Sequence, residues 1–142
     1  MFFSRPGTTL GGRPLTVTSQ AAEGFPENVL WTTNDVVLAT LHVVGSGNDR
    51  APWFGPRETN AQRLQRRAEF ARRMDADLAW LDRTFEEAEK RGADAVVLAM
   101  QANMFVGSAA SGFAPIINRL TDRAKAFDGS VLLLNGDTHR YV

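Results

Sequence analysis

Three short apolar runs punctuate this chain: Val36 to Val44, Ala95 to Met100 and Ser130 to Asn135. Each is rich in Val, Leu or Ala and is bounded by turn-forming residues, the pattern of a β-strand. The first run is nearly continuous apolar, which predicts a strand buried on both faces. Val29-Leu30-Trp31-Thr32 reads as its hairpin partner, joined through Thr33-Asn34-Asp35. Leu15-Thr16-Val17-Thr18 also alternates like a strand. Residues 1–13 read as an irregular lead-in. Residues 20–28, with Gly24 and Pro26, read as a loop, as does the glycine- and proline-rich stretch 45–57.

Two helical periodicities separate the strands. Thr59-Asn60-Ala61-Gln62 has the form of a capping box, in which two side chains satisfy free backbone N–H groups at a helix start. The helix is predicted to run to about Arg91 and stop at Gly92. Leu64, Ala68, Ala71, Met74, Leu78, Leu81, Phe85 and Ala88 form its apolar stripe. Arg66, Arg67, Arg72, Arg73, Glu86, Glu87 and Lys90 are expected on its solvated face, and Trp80 as a packing residue. Residues 106–112 are small and expected to be flexible. Pro115 to Phe127 predicts a second, shorter helix, with Ile116, Ile117, Leu120, Ala124 and Phe127 inward. The order is hairpin, helix, strand, helix, strand. Its last part is a strand-helix-strand unit, so parallel pairing is expected. The fold class is α/β, a layered sheet with flanking helices, in a single domain spanning 1–142.

The chemistry collects at strand ends. The last strand empties into Gly136-Asp137-Thr138-His139, and the strand before it into Gln101-Ala102-Asn103. Parallel neighbours deliver such residues to one edge of the sheet, where sites form in open α/β proteins. Asp137 and His139 can both bind a metal. His42, near the end of the Val36 run, joins them if its strand runs the same way. It precedes Val43-Val44-Gly45-Ser46-Gly47-Asn48, whose glycines could bring backbone N–H groups close to an anion.

Composition narrows the classes. Sixteen basic and sixteen acidic residues give zero formal charge, so nothing favours a nucleic acid or an anionic membrane as partner. Without cysteine there is no disulfide and no thiolate metal site. Met1 to Pro6 lacks the pattern of a signal peptide, and no run is long enough to span a bilayer. A cytoplasmic location is the default expectation.

Together, the hairpin strand, a helix carrying Ala79-Trp80-Leu81, an apolar strand with a polar end, a second helix and a strand closing on Gly-x-Thr-His resemble the carboxyl-terminal half of a calcineurin-like metallophosphoesterase. The resemblance runs from about Trp31 to Val142 and implies part of a β-sandwich flanked by helices. In that family two metal ions at strand ends activate a hydroxide that attacks a phosphate ester. The family's Gly-His-Thr/Ser-His motif maps onto 136–139, so His139 matches a metal ligand and Asp137 replaces the other histidine. Gln101 stands where a ligand histidine is expected. These changes trade nitrogen for oxygen donors and favour Mg, Mn or Fe over Zn. His42 is implied as a catalytic residue contacting phosphate, and Asn103 and Asn48 as substrate contacts.

The family's early Asp-x-His, Gly-Asp and Gly-Asn-His motifs usually precede the hairpin, and none of them stands ahead of Val29 in this sequence. Those motifs supply most of the metal ligands in the family, so the expectation is a fragment or shortened member whose chain alone is weakly active or inactive. A non-catalytic binding domain that keeps the fold is the alternative. Another α/β hydrolase, with His42 as base, is disfavoured because no cysteine or Gly-x-Ser-x-Gly elbow is present. Open sheet edges are expected to pair two copies of the chain. The substrate itself is not legible.

Overall fold

The computed structural model describes residues 7–105 and 110–136. Strands β1 (Thr18–Gln20), β2 (Phe25–Thr33), β3 (Val36–Leu41), β4 (Ala95–Met100) and β5 (Ser130–Asn135) form one sheet in sequence order. β1, β2 and β3 pair antiparallel, whereas β3, β4 and β5 pair in parallel. Helices α1 (Gly45–Asp49), α2 (Asn60–Arg91) and α3 (Ala110–Ala126) complete the α/β arrangement. None of the described helices is long and apolar enough to cross a membrane.

The expected hairpin closes through Asn34 and Asp35, with Asn34 in the left-handed region at φ 50°. Asparagine tolerates that conformation better than most residues. The capping box forms as well. Gln62 N–H donates to Thr59 Oγ1 (3.3 Å), and Thr59 N–H donates to Gln62 Oε1 (2.9 Å). Gly92 ends α2 at φ 62°.

One face of the sheet holds the core. Val37, Ala39, Leu41, Val96, Leu98 and Met100 alternate inward against Trp80, Leu81 and Phe85 of α2 and Phe113 and Ile116 of α3. The opposite face is apolar but has no described element packed on it. Trp31 pairs with Leu38, Leu38 with Val97, and Val97 with Leu132, a row running across four strands. Leu132 and Leu134 are 53% and 49% exposed. Burial of β3 on both faces is thus corrected: its residues alternate half-buried and buried.

Other expectations need adjusting. β2 starts at Phe25, inside the predicted loop, and β3 ends at Leu41, before Val44. α3 starts at Ala110 and carries Pro115 within it. Leu64, Ala68 and Ala71 are exposed, because the buried face of α2 begins only at Arg73. Arg73 itself is buried rather than solvated. The i,i+4 ion pair with Glu69 (2.7 Å) and bonds to Asn48 make that burial tolerable. Trp80 packs in the core as expected.

Candidate functional site

The β2–β3 ladder runs from Thr33↔Val36 to Leu30↔Ala39 and then stops. Beyond that point side chains splice the two strands. Thr40 Oγ1 accepts from Val29 N–H (3.0 Å) and donates to the Glu27 carbonyl (2.6 Å). Asn28 Oδ1 accepts the His42 backbone N–H (2.7 Å). A hydroxyl and an amide here take the place of ladder bonds and fix the ends of both strands.

The splice separates two polar layers. Beneath the sheet, Asn28 Nδ2 donates to Gln20 Oε1 (2.7 Å) and to Asp77 Oδ1 (3.1 Å). Gln20 Nε2 donates to the Ala76 carbonyl (3.2 Å). Gln20, Asn28 and Asp77 are all buried, and Asp77 Oδ2 has no partner. Burial pushes the Asp77 carboxyl up to about 6, against the opposing effects of Asn28, His42 and Arg73. On the other side, His42 and Glu27 line an open groove of about 340 Å³ with Thr40, Ala99 and Gln101. His42 Nδ1 lies 2.9 Å from Glu27 Oε1, with the two side chains 30% and 35% exposed.

Parallel pairing brings the predicted strand ends together. Met100 is in register with Asn135, and Gly136 N–H donates to the Gln101 carbonyl (3.1 Å). Asp137 and His139 lie outside the described residues. Gln101 Oε1 accepts Gly45 N–H (2.6 Å), so its side chain already clamps the segment after β3. A metal would have to share that oxygen. Asn103 Oδ1 accepts Phe105 N–H (3.1 Å) and caps the local turn. No group of three His, Asp or Glu that could hold a metal occurs among the described residues.

Asn48 occupies a different environment from the one expected. Its side chain is fully buried, donating to the Gly112 carbonyl (3.3 Å) and accepting from Arg73, whose Nη2 also reaches the Asn48 carbonyl (3.1 Å). Enclosed in this way, it ties α1 to α2 and α3, while its expected contact with substrate stays a proposal. The anion-cradle reading of the same turn also changes, because Gly45 N–H is given to Gln101. Gly47, Asn48 and Asp49 all adopt left-handed backbone (φ 67°, 63° and 56°). Two of them are not glycine, and such residues persist there only when their surroundings hold them. The bonds from buried Arg73 supply that hold.

The sequence reading missed Glu27, Asn28 and Asp77. Glu27 and Asn28 lay in a predicted loop, and Asp77 in a helix otherwise crowded with surface charges. One available signal was helical spacing: Asp77 lies one turn from Arg73 and nearly one from Trp80, both on the buried face. Neither a family model, nor a curated protein, nor a solved structure matches the chain.

Proposed function

We propose that this chain is the carboxyl-terminal part of a divergent calcineurin-like metallophosphoesterase, a metal-dependent hydrolase of phosphate esters. The observation that carries the proposal is the alignment of three parallel strand ends. β3 leads to His42, β4 to Gln101, and β5 to Gly136 directly beside Gln101. Asp137 and His139 follow within three residues. The bare apolar face, running from Trp31 to Leu132, also suits a second sheet packed across it, as a β-sandwich requires. In this reading His139, Asp137 and Gln101 contribute to a divalent metal centre completed by residues from elsewhere, with Mg, Mn or Fe preferred. The metals would activate water and neutralise charge on the ester, and His42 meets the phosphate.

The isolated chain is expected to show little or no turnover, since a tight metal site needs three or four convergent ligands. Hydrolysis of an aryl phosphate with Mn or Mg checks this. Robust turnover that disappears in His139→Ala would show that the chain is sufficient. A non-catalytic binding domain is the second reading, favoured by the engagement of Gln101 Oε1 with Gly45. Calorimetric titration separates the two: heat with Mn that His139→Ala removes supports the hydrolase lineage, and no heat with any divalent ion supports the binding domain.

Pairing with a second copy belongs to the same proposal. β5 is the last strand of the sheet, and identical open edges can pair about a two-fold axis. Sedimentation of the chain is expected to show a dimer that Leu132→Lys with Leu134→Lys shifts to monomer. A monodisperse wild-type monomer at high concentration would rule the pairing out.

A further inference from the structure

We propose that Glu27 is a positioning residue for His42, keeping the imidazole proton on Nδ1 so that Nε2 faces the groove as the bare nitrogen. The inference rests on the reading of His42 as the residue that meets the phosphate, and adds the group that sets its tautomer.

The splice between β2 and β3 supplies the geometry. Thr40 holds the Glu27 carbonyl, and Asn28 holds the His42 backbone N–H, so both backbones are pinned where the ladder ends. Their side chains then meet, with Nδ1 2.9 Å from Oε1. His42 Nδ1 and Glu27 Oε2 are both shut off from solvent, and neither completes a hydrogen bond. The line from Nδ1 to Oε1 lies off the ring N–H direction, so this contact is an ion-pair approach rather than a closed hydrogen bond.

Electrostatics decides where the proton goes. A bare Nδ1 would point a lone pair at a carboxylate oxygen 2.9 Å away, with no water between to relieve the repulsion. A proton on Nδ1 turns the same contact into an attraction, and a small ring rotation aligns it. The partner of one ring nitrogen sets the state of the other. His42 lines the groove with Thr40, Ala99 and Gln101, and because Nδ1 is shut off from solvent, Nε2 is the ring nitrogen left to face the groove and is then the acceptor. It can take a proton from water or from a protonated phosphate oxygen.

The chain has only two histidines, so a His139→Ala background leaves one imidazole to observe. Long-range proton–nitrogen correlation spectra recorded at alkaline pH report the tautomer directly. The expected result is the Nδ1–H form. Glu27→Ala is expected to revert it to the Nε2–H form that a free neutral imidazole side chain favours. Glu27→Gln keeps an acceptor oxygen and is expected to retain Nδ1–H, which a purely structural role for Glu27 does not explain. An Nε2–H form with Glu27 in place would overturn the proposal, as would a tautomer unchanged by Glu27→Ala. If Glu27→Ala fails to fold, the tautomers of the background chain and of Glu27→Gln still decide. No substrate enters the measurement. A Glu27-dependent tautomer in a chain that gives no heat with any divalent ion would sink the hydrolase reading alone.

Discussion

Gly112→Ala is expected to lower stability by about 3 kcal/mol, the upper end of the cost of overpacking. A methyl group there would collide with the Gly47 carbonyl oxygen, and would sit 2.8 Å from its carbon and 3.2 Å from Arg50 Cδ. A side chain can swing away, but a backbone carbonyl in a left-handed turn cannot do so cheaply. That turn is held on both sides, by Arg73 through Asn48 and by the Asn48 bond to Gly112 itself. The strain therefore passes along α1 to Gly45 and its bond to Gln101. Urea unfolding of the variant measures the loss. Gly12→Ala is the control, since nothing lies within 4 Å of its added carbon. Equal unfolding midpoints for the two variants would mean that α1 does not sit against α3 in solution.

Asp77→Asn is expected to stabilise the chain at neutral pH and to remove part of its pH dependence. Burial raises the carboxyl from its usual 3.8 to about 6, so between these values the folded chain binds the proton more tightly than the unfolded chain. Stability from this group is then fully present below about 3.8 and is lost as pH rises through about 6. The cost above that window is about 3 kcal/mol at 1.36 kcal/mol per pKa unit. The substituted amide carries no charge and keeps an oxygen for Asn28. Its NH₂, placed where Asp77 Oδ2 has no partner, offsets part of the gain, because an unpaired buried donor costs about 1–3 kcal/mol. A net gain of about 1 kcal/mol at neutral pH is the expected balance. The decisive measurement is the unfolding free energy of both proteins from pH 4 to 7. If the two curves run parallel through that window, Asp77 does not titrate in the folded chain as its burial demands.

The two substitutions probe opposite sides of the same construction. Arg73 and Asp77 lie one turn apart on α2 and are both buried. Arg73 secures the segment that follows His42, and Asp77 underlies the splice from which His42 and Glu27 emerge. The groove is therefore shaped from beneath by polar groups on a helix whose remaining inward residues are almost all apolar. This arrangement costs stability, and such expenditure is commonest at functional sites.

Local information in the sequence determined the elements that depend on neighbours along the chain. The capping box at Thr59, the stop at Gly92, the turn at Asn34 and the alternation of Ala95 to Met100 each involve residues within a few positions of one another. The parallel order of the last three strands followed too, because a helix between two strands returns the chain in the same direction. Tertiary structure alone decided what required partners far apart. Arg73 had the sequence environment of a surface arginine, and its burial is made tolerable by Asn48, 25 residues away, together with the neighbouring Glu69. Asp77 is 49 residues from Asn28, and Glu27 meets His42 only because Thr40 and Asn28 substitute for ladder bonds that the β-pattern would predict. Periodicity records which face of an element is apolar. It carries no record of which polar group will find its partner across the fold, and the groove is built from such pairs.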